Sequence, residues 1–189
     1  MDGKSLADLR AALEEFDQCP LKSTATNLVF ADGNPDSGLM IIGEAPGADE
    51  DRQGEPFVGR AGQLLTQMLR AMGLDRDAVF IANILKCRPP ENRDPTAAEV
   101  SNCLPFLQRQ IQLIQPRLIL VVGRIAAHNL LNVDTPIGKL RGQVHHYGDP
   151  QIPVVVTYHP AYLLRSPSQK RKSWADLLLV QDVLSVSAG

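Results

Sequence analysis

Leu39-Met40-Ile41-Ile42-Gly43-Glu44-Ala45-Pro46-Gly47 passes from four apolar residues into a glycine, an acid and a second glycine. A short apolar run that ends in glycine reads as a buried strand handing the chain to a loop at the edge of a sheet. Working outward, Asn34-Pro35-Asp36-Ser37-Gly38 marks the turn before it, and residues 5–16 place Leu6, Leu9, Leu13 and Phe16 at the spacing of an amphipathic helix. On the other side, 59–73 reads as a helix with a glycine-rich start, 78–85 as a second strand, and 96–115 as a long helix opened by a Thr96/Glu99 capping box. A third strand at 118–123 and a helix at 124–131 follow, then a hairpin-like turn at 138–142 that leads to 144–147, a last core strand at 152–158 and a closing helix at 174–183. Strands alternating with helices predict an α/β fold, a three-layer α/β/α sandwich around a central, mostly parallel four-stranded sheet. No repeat or low-complexity linker divides residues 1–189, so a single domain is expected.

Composition sets the compartment. The chain has 189 residues, 44% apolar and 21% charged. It contains no run of apolar residues long enough to span a bilayer, and its start lacks the basic-then-apolar pattern of a secretory signal, so a cytoplasmic protein is expected. The net charge of -2 is unevenly spread: residues 1–60 hold twelve acidic and five basic side chains, residues 61–189 nine acidic and fourteen basic. The densest basic run, Arg165, Lys170, Arg171 and Lys172, reads as a solvated helix start or as a face for a polyanion. Cys19, Cys87 and Cys103 are odd in number and lack zinc-ribbon spacing, which leaves ordinary buried thiols or metal ligands.

In parallel α/β sheets, ligands bind beyond the carboxyl ends of the strands, so the polar residues just after the apolar runs carry the chemistry. The first strand is followed by Glu44, Glu50 and then Pro56-Phe57-Val58-Gly59-Arg60-Ala61-Gly62. Neither a Walker loop nor a Gly-x-Gly-x-x-Gly turn is present, which removes the main support for a nucleotide-binding module. The acids either solvate a turn or handle a proton, and Phe57 either fills the core or offers a stacking face. Asn83 interrupts an apolar strand, where a buried amide needs a partner; it suits the Watson–Crick edge of a base or the tying down of a loop. His159-Pro160-Ala161-Tyr162-Leu163-Leu164-Arg165 places an imidazole at the end of the last core strand, as a structural group or as a hydrogen-bond donor.

Taken together, Cys19-Pro20-Leu21, Gly43 to Gly47, Pro56 to Gly59, Asn83 ahead of Lys86-Cys87-Arg88-Pro89-Pro90, Cys103 and His159 to Arg165 resemble the uracil-DNA glycosylase superfamily, specifically family 4, its bacterial and archaeal iron–sulfur group. The resemblance implies hydrolysis of the N-glycosidic bond of deoxyuridine after the base leaves the stack. It implies His159 as the donor to the departing uracil and Asn83 as the reader of its edge. Phe57 is implied as the stacking face, with Gly43 and Ala45 lining the base pocket, and Glu44 and Glu50 as groups that position or deprotonate water or oppose charge on the sugar. Leu163 and Leu164 are implied as a wedge in the vacated stack, and Arg165, Lys170, Arg171, Lys172 and backbone amides near Gly59 and Gly62 as phosphate contacts. The implied partner is uracil-containing DNA, met by a monomer.

Two departures qualify that resemblance. The family holds a 4Fe-4S cluster on four cysteines, the first two as Cys-x-x-Cys; here Cys19, Cys87 and Cys103 match three, and Phe16 occupies the place of the first. The expectation is chemistry that requires no cofactor, an incomplete cluster site, and packing around Phe16 to hold the N-terminal helix and the Cys87 loop. The related branch that captures DNA covalently carries a histidine before proline near Asn92-Arg93-Asp94-Pro95; none stands here, which favours hydrolytic turnover. A nonenzymatic DNA-binding or damage-sensing protein on the same fold is the alternative reading.

Overall fold

A computed structural model describes residues 4–186, so the opening Met1 to Gly3 lie outside the described residues. Helix α1 (Leu6–Glu15) starts where the Ser5 hydroxyl accepts from the Asp8 amide at 3.1 Å, and it buries Leu9 and Leu13. Strand β1 (Asp32–Gly33) is a two-residue edge, and β2 (Leu39–Gly43) is buried throughout. Helices α2 (Ala48–Gln53) and α3 (Arg60–Ala71) lead to β3 (Phe80–Asn83). Helix α4 (Ala97–Ile114) opens with the predicted capping box. Next come β4 (Leu118–Val122), α5 (Arg124–Leu131), α6 (Ile137–Leu140) and the hairpin of β5 (Val144–Tyr147) and β6 (Ile152–Thr157). The chain closes with α7 (Pro160–Arg165) and α8 (Lys170–Val186).

The sheet runs β1-β3-β2-β4-β6-β5. Its four inner strands are parallel, as expected, but the sheet has six strands and is mixed, because β1 pairs antiparallel with β3 and β5 antiparallel with β6. Asp32–Gly33 is too short to carry an alternation signal, and the expected count leaves out the 144–147 segment beyond the hairpin turn, so four strands undercount the sheet by two. Alternation along the inner strands builds two cores. Met40, Ile42, Ile119, Val121, Val154 and Val156 face α4 and α5, whereas Leu39, Ile41, Leu118, Leu120 and Val155 face α3 and α8. These are the layers of the sandwich. Helix α8 begins at Lys170, ahead of the expected Trp174, so Lys170, Arg171 and Lys172 form its first turn while Arg165 ends α7.

One side chain in the core is a lysine. Lys86 is fully buried just past β3, and its Nζ donates to the Asn83 carbonyl at 2.9 Å, to Gln110 Oε1 at 2.7 Å and to the Phe30 carbonyl at 3.4 Å. Burial drives its pKa down to about 7. These bonds pin the end of β3 to α4 and so fix the backbone that carries Asn83. Lys86→Met is expected to lower stability by about 3 kcal/mol, because the Asn83, Gln110 and Phe30 oxygens lose a buried donor, and urea unfolding measures it.

Candidate active site

The carboxyl ends of β2, β3 and β6 open into a cleft of about 500 Å³. Glu44, Ala45, Glu50, Phe57, Asn83, His159 and Arg165 all line it, so residues distant in sequence converge as expected. The loop after β3 supplies Pro89, Asn92, Arg93 and Asp94, and α7 supplies Tyr162.

Phe57 sits at the centre in a left-handed backbone conformation, φ 55°, which is costly for a non-glycine residue. Its surroundings over-determine it. Glu50 Oε1 accepts from the amides of Val58 and Gly59, both at 2.9 Å. Arg76 donates to the Phe57 carbonyl at 2.9 Å and to the Pro56 carbonyl, and is itself paired to Asp32 at 2.7 Å. Under the loop, a Cβ on Gly62 would lie 1.8 Å from the Phe57 oxygen, so only glycine lets α3 pass there. These contacts correct one expectation. The Gly59 amide is taken by Glu50 and is not free for a phosphate, and Gly62, buried beneath Phe57, lets the loop pack on α3. Glu50, expected near the water, has one oxygen committed to that loop.

Asn83 ends β3, is 2% exposed, and its Oδ1 has no hydrogen-bond partner. A Cβ on Gly43 would stand 2.5 Å from that oxygen and 2.5 Å from Phe57 Cζ. Gly43 therefore leaves the amide and the ring side by side. Gly43→Ala is expected to cut turnover by about 10- to 100-fold, by displacing both groups, with little change in thermal midpoint; steady-state kinetics and a melting curve check it.

His159 follows β6, whose last residue is anchored by a buried network. Thr157 donates to Asp176 Oδ2 at 2.8 Å, and Arg141 donates to the Asp176 oxygens at 3.0 and 2.9 Å. The imidazole caps α7: Nδ1 accepts from the Ala161 amide at 3.0 Å, which leaves the proton of the neutral ring on Nε2. Its ring lies near-parallel to Phe57, with centroids 5.8 Å apart and planes at 29°. Desolvation first, then the charge of Arg165, holds its pKa down to about 4 against the pull of Glu50. Across the cleft, half-buried Glu44 is pushed up to about 7 by burial and by Asp94, with Arg124 opposing. Asp94 itself meets Arg124 at 3.5 Å. The Asn92–Asp94 segment is tied to α4 through Arg93, which donates to both Glu99 oxygens at 2.9 and 2.6 Å and holds that carboxyl down to about 2.

The expected wedge and basic run divide. Leu163 is 1% exposed and packs in the core with α3 and α8, which corrects its assignment; Leu164 is the exposed member of the pair. Arg165 is exposed at the rim of the cleft, whereas Lys170 and Arg171 border a separate apolar groove beside Trp174. Lys172 is half-buried, its carbonyl accepting from Arg141. The three cysteines are buried together, with Cys19 and Cys103 Sγ at 3.8 Å. Among the described residues, no three His, Cys, Asp or Glu groups are placed to hold a metal ion. No helix among those residues is long and apolar enough to cross a membrane.

Sequence reasoning missed Arg76 and the Asn92–Asp94 contacts. Arg76 bonds carbonyls that lie 19 and 20 positions earlier, for which no local pattern exists. Glu91 and Asn92 both adopt positive φ, a strain visible only in the folded chain.

Comparison with known proteins agrees with this cleft. The family model of the Uracil DNA glycosylase superfamily matches residues 30–178. A type-4 uracil-DNA glycosylase of Archaeoglobus fulgidus is 43% identical over 180 residues, covering 92% of this chain and 90% of that protein. One of Thermotoga maritima is 44% identical over 154 residues, 80% of this chain and 79% of that protein. A type-5 uracil-DNA glycosylase of Pyrobaculum aerophilum is 32% identical over 148 residues, covering 69% and 64%. With the family model spanning most of the chain, and with type-4 relatives matched more closely than this type-5 one, the chain belongs to the uracil DNA glycosylase superfamily and sides with its type-4 members.

Proposed function

We propose that this chain is a monofunctional uracil-DNA glycosylase, which hydrolyses the N-glycosidic bond of deoxyuridine in DNA and leaves an abasic site. The observation that carries the reading is the unpartnered, buried Oδ1 of Asn83 beside the Phe57 ring. A buried acceptor without a donor is costly, and uracil N3–H supplies one while the base lies against the aromatic face.

Cleavage breaks the bond between C1′ and N1, and the electron pair passes to the uracil ring and its O2. A donor aimed at that oxygen stabilises the departing base more than the bound substrate. Neutral His159, with its proton on Nε2, is assigned that role. The sugar develops positive character, and Glu44, poised at about 7, is assigned to take the proton of the water that adds to C1′. Glu50 is assigned to positioning, through its hold on the Phe57 loop. Leu164 fills the stack that the base vacates, Arg165 meets phosphate at the rim, and Lys170, Arg171 and Lys172 extend the basic face, with an affinity that falls as salt rises. The reading places one glycosylase domain over residues 1–189, acting as a cytoplasmic monomer.

The test incubates the protein with an end-labelled oligonucleotide carrying one uracil in EDTA, followed by hot alkali and a denaturing gel beside a thymine control. Scission at uracil alone is the expected result. Intact strands from folded protein that still binds the DNA would move the reading to a nonenzymatic DNA-binding role on this fold.

A further inference from the structure

We propose that this chain folds without an iron–sulfur cluster, because Phe16 and direct sulfur packing close the site where its resemblance to family 4 places one. Cys19 and Cys103 Sγ stand 3.8 Å apart, close to contact between two sulfur atoms, a packing that a cube of iron and sulfide would have to part. Cys87 is buried in the same apolar cluster. A cluster needs four donors as thiolates or equivalent ligands, and this set supplies three. In the place of the fourth, Phe16 packs its edge on Phe106, with ring centroids 5.1 Å apart, and bridges two cores. Its neighbour Asp17 is exposed to solvent.

The constraint that a cluster would impose on this corner is supplied by the chain. Lys22 Nζ donates to the Phe16 carbonyl at 2.9 Å and to the Glu14 carbonyl, closing the end of α1 onto the turn after Cys19. Asn102 on α4 donates to the Gln18 carbonyl at 3.1 Å. The segment that carries Phe16 and Cys19 is thus fastened to α1 and α4 by protein donors. The proposal concerns the scaffold and stands whether or not the cleft removes uracil.

The test measures iron and acid-labile sulfide in the full chain after anaerobic incubation with ferrous iron, sulfide and a thiol reductant, followed by desalting. Wild type is expected to retain less than about 0.1 iron per chain and to stay colourless, whereas Phe16→Cys, treated in parallel, takes up about four irons with the visible absorption of sulfide-to-iron charge transfer. Three or four irons held by wild type would overturn the proposal whatever becomes of the variant. A folded Phe16→Cys that stays as iron-free as wild type would also overturn it, since Phe16 would then not be what closes the site. As a second readout, a ferrous chelator is expected to leave the melting temperature of freshly isolated wild type unmoved, and a fall of several degrees would count against the proposal.

Discussion

His159→Ala is expected to lower single-turnover cleavage of a uracil oligonucleotide by about 10²- to 10³-fold, the usual consequence of deleting one preorganised donor to a developing anion. The same side chain caps α7, so the alanine variant should also lose about 1 kcal/mol of stability. His159→Asn separates the two effects. Its amide oxygen can still accept from Ala161 and restore the cap, but the shorter side chain does not carry a donor as far into the cleft as Nε2. Near-normal stability with turnover as low as in the alanine variant would support the donor role; turnover within tenfold of wild type in either variant would remove it. DNA affinity should change little, because the wedge is assigned to Leu164 and the phosphate contact to Arg165, neither of which this substitution removes.

The four parallel strands were legible because each is a buried apolar run between turn signals, and burial on both faces needs no subtler pattern. The cleft was legible for the same reason: Glu44, Asn83 and His159 stand at or just past the ends of those runs, and Phe57 follows in the loop beyond α2. Other features depend on how neighbouring elements meet. Leu163 and Leu164 look equivalent in sequence, yet successive helical residues point about 100° apart, so α7 sends one into the core and one to solvent. Gly59 and Gly62 look like the glycine-rich start of an anion site, and only the Phe57 loop folded over them reveals that they pack. Asp32 shows the same limit at the sheet edge: alone it is a loop acid, and its meaning comes from Arg76, which it orients towards the Phe57 carbonyl.

Glu44→Gln is expected to abolish the main pH dependence of the reaction while making the fold no weaker. In wild type the carboxyl titrates at about 7, raised by burial and Asp94, and only its ionised form can accept the proton of water. Cleavage should therefore rise with pH through about 7 and then level off, whereas His159, neutral above about 4, imposes no limb in that range. Replacing the carboxylate should cost about 10²- to 10⁴-fold at pH 8 and leave a flat residual rate. Stability carries the opposite sign. Because the folded state holds the Glu44 proton more tightly than the unfolded chain does, wild type loses stability as pH rises from about 4.5 to 7. The glutamine variant escapes that loss, so it should melt higher than wild type at pH 8 and with no advantage at pH 4. A variant that is both slower and more stable at high pH would mark Glu44 as a group held in the cleft for chemistry. A variant that keeps the wild-type rise through pH 7 would pass the base role to another residue.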